Sequence, residues 1–192
     1  MHNLENEEII NILKTSGALL KGHFLLRSGL HSEYFFQCAR VGENLSLVSS
    51  LVERLLEKIK SNFLEFETVV APAMGALVIG QELARQSGAR FIFLEKVSNK
   101  LVLRRNFKIS AGEKVLIVED VVTRGGRVNE AIKILDRNFA NISGITVLID
   151  RSEGKANFPI PYCSLLEMSF PTYKSENLPE HLKKIPTLRP GS

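Results

Sequence analysis

The sequence predicts an α/β domain with a mostly parallel central sheet flanked by helices. Three observations predict it. Strand-length apolar runs occur in FETVVAPAM (66–74), RFIFLEK (90–96), KVLIVEDV (114–121) and GITVLIDRS (144–152), and they are too uniformly apolar for a sheet with one wet face. Between them lie stretches whose apolar residues recur at helical spacing. The two patterns alternate along the chain, as consecutive βαβ units require. A chain of 192 residues is long enough to bury a substantial core in one such domain.

Taken in order, residues 5–15 place Ile9, Ile10 and Leu13 on one helical face after an acidic first turn. GHFLLRSGLHSEYFFQCARV (22–41) reads as a β-hairpin with an aromatic second strand. Its cation, Ser-Gly turn and Ser32-Glu33-Tyr34 also fit a hood over a planar ring. LSLVSSLVERLLEKIK (45–60) has Leu47, Leu51, Leu55 and Ile59 every four residues, an amphipathic helix. The strand at 66–74 turns at Pro72, and GALVIGQELARQSG (75–88) is a helix ended by Gly88. A second strand (90–96), a third (114–121), a helix over 128–138 and a fourth strand (144–152) complete the pattern. From residue 170 the chain, rich in Pro, Lys and Glu, reads as an irregular tail.

The balance of 25 Lys and Arg against 21 Asp and Glu is mildly basic, which suits an anionic small molecule as well as nucleic acid. The helix at 45–60 sets Arg54, Lys58 and Lys60 against Glu53 and Glu57, so it offers no basic face for nucleic acid. No apolar stretch approaches the roughly 20 residues that span a bilayer, and the acidic start is unlike a signal peptide, so a cytoplasmic protein is expected. Cys38 and Cys163 stand far apart and outside any metal-type spacing, and are read as two reduced, buried thiols.

KVLIVEDVVTRGGRVN (114–129) carries the most chemistry. A buried strand ends in Glu119 and Asp120, then Val121 and Val122, and then Thr123-Arg124-Gly125-Gly126-Arg127 leads into a helix. Backbone N–H groups at such a turn, with the helix dipole, make a site suited to phosphate. Carboxylates beside it would repel a bare phosphate and more naturally face hydroxyls or a metal. A ligand carrying phosphate, hydroxyls and Mg²⁺ together is a phosphorylated sugar. In an open parallel sheet the ligand lies at the carboxyl ends of the strands, where Pro72 to Gly75, Lys96, Glu119 with Asp120, and Asp150 with Arg151 collect.

VLIVEDVVTRGGRVNEA resembles the phosphoribosyl diphosphate (PRPP) motif of type I phosphoribosyltransferases, with Arg124 and Arg127 where that family has small residues. Phe24, Leu26, Arg27, Ser28, Gly29, Ser32, Tyr34 and Phe35 are similar to the N-terminal signature of the orotate-using branch. The resemblance covers roughly residues 15 to 170. It implies a type I phosphoribosyltransferase-like fold in one domain over 1–192, with 1–44 as a small N-terminal hood and 170–192 as the tail. It further implies transfer of a phosphoribosyl group from PRPP to orotate, with Lys96, Asp120 and Glu119 as the catalytic groups. PRPP contacts fall on Glu119, Asp120, Val121, Val122, Thr123, Arg124, Gly125, Gly126, Arg127, Arg27, Lys96 and Lys100; orotate contacts fall on Thr123, Arg151, Phe35 and Phe36. Arg151 would hold orotate's carboxylate with its planar fork, and Asp150 would anchor or pair with that Arg. Mg²⁺ is implied as cofactor, bound mainly through PRPP without a direct protein ligand, and zinc is not expected.

The basic stretch 96–108, with Lys96, Lys100, Arg104, Arg105 and Lys108, matches a mobile loop that in a homodimer reaches the partner's site. The family's His-Gly in this loop is missing, as is a Lys after Ala73. The PRPP motif does not fix the base, so a phosphoribosyltransferase for another base is a rival reading. A PRPP-binding regulator that binds nucleic acid is a second, and a non-catalytic homologue, which the missing Lys and altered loop favour, a third.

Overall fold

Near-continuous burial marks the centre of the sheet. All five residues of β3 (Thr68–Pro72) are buried, as are Val115 to Glu119 of β6 (Lys114–Val122) and Gly144 to Ile149 of β7 (Asn141–Asp150). These strands, with β4 (Arg90–Val97), β5 (Lys100–Leu103) and β8 (Tyr162–Glu167), form a six-stranded sheet in the order β5-β4-β3-β6-β7-β8. Pairing is parallel except that β5 runs antiparallel to β4. The computed structural model describes residues 2–26, 28–62 and 65–189, with side chains in the first helix from Asn6 onward.

One face of the sheet is covered by α2 (Leu45–Asn62) and α3 (Leu77–Ser87), with α1 (His2–Thr15) packing into the same core. Val48, Leu51, Val52, Leu55, Leu56 and Ile59 of α2 are buried, the three- and four-residue spacing that a helix needs to lay one stripe on a sheet. Gly80 lets α3 approach closely, since a Cβ there would lie 2.9 Å from the Phe91 ring and 3.0 Å from the Ala71 Cβ. α3 ends at Gly88 in the left-handed conformation, as its sequence position foretells. The opposite face is covered by α4 (Gly126–Arg137) through Val128, Ala131, Ile132 and Leu135.

The N-terminal hairpin forms as expected, from β1 (Leu19–Leu25) and β2 (His31–Phe36). The tail, however, is not irregular. β9 (Thr172–Tyr173) pairs with β2, and β10 (Thr187–Leu188) pairs with β1, giving a second sheet in the order β10-β1-β2-β9. A short helix, α5 (Glu180–Lys183), buries Leu182 between them. Two-residue strands carry almost no periodic signal, and their pairing with distant strands is what orders them.

A second correction concerns residues 96–108. The stretch is not open loop throughout: β4 runs on to Val97, turns through Ser98 and Asn99, both with positive φ, and returns as β5, after which Arg104 to Lys108 lie in no strand or helix. Positive φ at both central residues is the geometry of a two-residue hairpin turn matched to strand twist. The Leu101 side chain is buried in the α4-side core, and its backbone N–H donates to Glu130 Oε1 at 2.8 Å.

Candidate active site at the carboxyl edge of the sheet

From β3 the chain winds outward one way to β4 and β5, while β6, β7 and β8 extend the other way. The topological switch therefore lies between β3 and β6, where open α/β sheets bind their ligands. Four segments end there: Pro72 to Gly75 after β3, the hairpin from Lys96, the acids and glycine turn of β6, and Asp150-Arg151 after β7.

Glu119 and Asp120 are adjacent in a strand and project to different faces. Glu119 faces α4, is 2% exposed, and lies with Oε1 3.7 Å from Arg127 Nη1. That oxygen also accepts the Asp120 backbone N–H at 3.1 Å, whereas Oε2 has no partner among the described residues. Burial, and then the charge of Asp120, push its pKa well above the ordinary carboxylate value, with Arg127 opposing. Asp120 turns toward the start of α3: a Cβ on Gly75 would lie 2.0 Å from Asp120 Oδ2. Gly75 is thus required by a carboxylate distant in sequence. The Ala73–Met74 peptide beside it is cis, and Met74 is exposed.

The turn into α4 has the form of an anion cradle. Gly125 caps the helix with φ 70, and a Cβ there would press on the Phe158 ring at 2.7 Å, so glycine is needed twice over. Gly126 is exposed with open space around it, and no side chain caps the helix, leaving its leading N–H groups available to an anion. Thr123 and Arg124 are exposed, and Arg124 has no hydrogen bond or ion pair among the described residues. Val121 and Val122 offer only backbone here, and the Val122 carbonyl accepts the Arg151 N–H at 2.8 Å, tying the cradle to the next strand.

Arg151 is half-buried, with its guanidinium 5.6 Å from the centre of the Phe36 ring and 5.8 Å from that of Phe170. Its Nε has no partner among the described residues, and burial lowers its pKa. Asp150 does not hold it; Asp150 Oδ1 accepts the Ser152 N–H at 2.6 Å instead. Cys38, buried beneath the site, feels the charges of Asp120, Arg151 and Glu119, and burial before all else pushes its thiol pKa up. Cys163 is free but only half-buried, beside Thr146.

Not every expected residue converges. Phe36 joins Arg151, but Phe35 points to the other face of β2, against Phe24 at 5.7 Å between ring centres. Lys96 and Lys100 are exposed and unpaired among the described residues, Lys100 flanking the hairpin turn opposite Val97 and Lys96 one residue farther from it. Arg104 and Arg105 are instead both drawn to Glu95. Arg27 lies outside the described residues. Gly75 lay inside a stretch the sequence flags at the strand edge, but Phe158 and Phe170 carried no signal, since neither belongs to a periodic element.

Residues 43–182 match the phosphoribosyl transferase domain family. The chain is 42% identical to an orotate phosphoribosyltransferase of Erythrobacter litoralis, over 98% of each chain. It is 41% identical to the orotate phosphoribosyltransferase of Desulforamulus reducens, again over 98% of both. Among solved structures, orotate phosphoribosyltransferase from Aeropyrum pernix superposes with a TM-score of 0.73 at 24% identity, covering 83% of this chain and 93% of that one. A cradle at the switch point, two acids and this match define the class: the chain belongs to the phosphoribosyltransferases, and within them to the orotate phosphoribosyltransferase family.

Proposed function

We propose that the chain transfers the 5-phosphoribosyl group from PRPP to orotate, giving orotidine 5′-phosphate and diphosphate in pyrimidine nucleotide synthesis. One observation carries the reading: two buried polar atoms at one sheet edge, Oε2 of the acid Glu119 and Nε of the Arg151 guanidinium, lack partners among the described residues. A buried unsatisfied acceptor or donor costs about 1–3 kcal/mol, so each is suited to a ligand that completes it. Sugar hydroxyls complete the acid, and a carboxylated base completes the guanidinium. The family relatives named for orotate support the same pairing.

Transfer from diphosphate to a ring nitrogen passes through a cationic, oxocarbenium-like state. In this reading the 5′-phosphate sits on the leading N–H groups of α4, while Glu119 and Asp120 take the ribose hydroxyls. Holding C1 against the base nitrogen in this way converts binding into rate. Arg151, braced by Phe36 and Phe170, grips the orotate carboxylate, and Thr123 lies between phosphate and base. Lys96 and Lys100 supply positive charge for the departing diphosphate. In this reading Mg²⁺ would come mainly with PRPP and supply charge neutralisation at the departing diphosphate. We further propose a cytoplasmic homodimer in which the β4–β5 hairpin serves the partner's site. No helix among the described residues is long and apolar enough to cross a membrane.

The test is loss of orotate's ultraviolet band with PRPP and Mg²⁺, with purine bases as competitors. Arg151→Ala should lower kcat/KM for orotate on the order of 100-fold, the loss expected for a charged two-point contact, and leave the KM for PRPP nearly unchanged. Equal damage to both substrates, or purines outcompeting orotate, would overturn the assignment.

A further inference from the structure

We propose that Arg127 is a positioning residue that draws the buried Glu119 into its ionised form and holds it ready for the sugar. The inference rests on the PRPP reading above and deepens it. Arg127 lies in the first turn of α4, where the helix field disfavours a cation. The resemblance puts a small residue at this position, so the guanidinium needs its own reason. Its Nη1 lies 3.7 Å from Glu119 Oε1, with the Arg 36% exposed and the acid 2% exposed. Besides Arg127, the charges felt at Glu119 are Asp120, next to it in the strand but projecting to the other face, and the Cys38 thiol after β2, which in turn feels Arg151 at the end of β7. Of these groups, Arg127 alone among the described residues forms an ion pair with Glu119.

The consequence is chemical. A neutral carboxyl must spend one oxygen as a donor, whereas a carboxylate accepts from two sugar hydroxyls at once. Burial and the neighbouring Asp120 both favour the neutral form of Glu119; Arg127 opposes them. The guanidinium reaches from the first turn of α4 to the acid, within 3.7 Å of Glu119 Oε1.

Two measurements on the full chain test this. In the free protein, the ¹³C carboxyl resonance of Glu119 should titrate roughly one pH unit higher in Arg127→Gln than in the wild type, with Arg127→Lys close to wild type. PRPP binding with Mg²⁺, followed by calorimetry across the pH range, should show its acid limb moved upward in Arg127→Gln by the same interval, with affinity largely recovered at alkaline pH. An unmoved Glu119 titration, or a loss of affinity by one constant factor at every pH, would overturn the proposal and leave Arg127 a simple phosphate contact or a bystander. A wild type that binds no PRPP at all would instead remove the phosphoribosyl reading on which it stands.

Discussion

The Glu119 carboxyl, 2% exposed, with an oxygen that has no partner among the described residues, is costly to hold ionised in the fold. Its pKa lies higher folded than unfolded, mainly through burial. The folded state therefore keeps a proton that the unfolded chain releases, so this group's contribution to stability is full below the ordinary value of 4.5 and lost as pH rises toward the folded one. Glu119→Gln should accordingly be more stable than wild type at neutral pH, by on the order of 1 kcal/mol in urea melts, with the gain vanishing in acid. Transferase activity should fall steeply in the same variant, the exchange of stability for function expected at a strained site. A neutral-pH melt showing Glu119→Gln less stable than wild type would contradict this. The two acids and the glycine turn were legible in the sequence, because a charged pair closing a buried strand has no structural reason to be there. What was not legible is three-dimensional: that Asp120 needs Gly75, that Gly125 must clear Phe158, and that Asp150 turns to Ser152 rather than to Arg151.

At the scale of elements, the β4–β5 hairpin decides how the basic segment behaves. Its two-residue turn and buried Leu101 make it a braced arm, and the braces end on α4, the helix whose leading turn forms the cradle. Removing the Glu130 carboxylate should leave the Leu101 N–H without its acceptor. Glu130→Ala is expected to speed hydrogen exchange at Leu101 about tenfold, the loss of about one hydrogen bond, while amides of β6 keep wild-type protection. Unchanged exchange at Leu101 would mean that packing alone fixes the arm. The long elements were legible because their periodicity is dense: Leu51, Leu55 and Ile59 in α2, or Val115 to Val118 in β6, leave few alternatives. β5 was hidden because five basic residues over 96–108 mask a four-residue strand whose only strongly buried side chain is Leu101. The β8 strand was missed too, since its short apolar pair, Leu165 and Leu166, lies among the prolines Pro159, Pro161 and Pro171 and reads as part of a loop.

Over the whole molecule, a chain of polar contacts fastens the hood to the tail that flanks it. His23 Nε2 and His31 Nδ1 are 2.7 Å apart, with His23 3% and His31 8% exposed. His23 Nδ1 faces the Ile185 carbonyl at 3.0 Å and must carry a proton, so its Nε2 accepts from His31 Nδ1–H. His31 Nε2 is then the acceptor for the Ser175 hydroxyl at 3.0 Å, and Thr187 Oγ1 lies 3.2 Å from His23 Nδ1. One arrangement of tautomers satisfies every group, and it joins β1 and β2 to both segments of the tail. A two-stranded hairpin is marginal alone, and β9 and β10 cover its two edges, so the tail is part of what keeps the hood folded. The hood in turn places Phe36 against Arg151, and Phe170, just before β9, completes that bracket and also stacks on Tyr34 at 4.4 Å between ring centres. Disturbing the imidazole pair should therefore reach the base site and spare the sheet. His31→Leu removes two hydrogen bonds and strands the His23 acceptor, a loss of about 2–3 kcal/mol felt locally. Hydrogen exchange should quicken through 19–36 and 172–188 with β3, β6 and β7 unaffected, and KM should rise for orotate more than for PRPP. Uniform quickening across the central sheet would show instead that hood and core unfold as one unit, and would remove the basis for treating the tail as a local fastening.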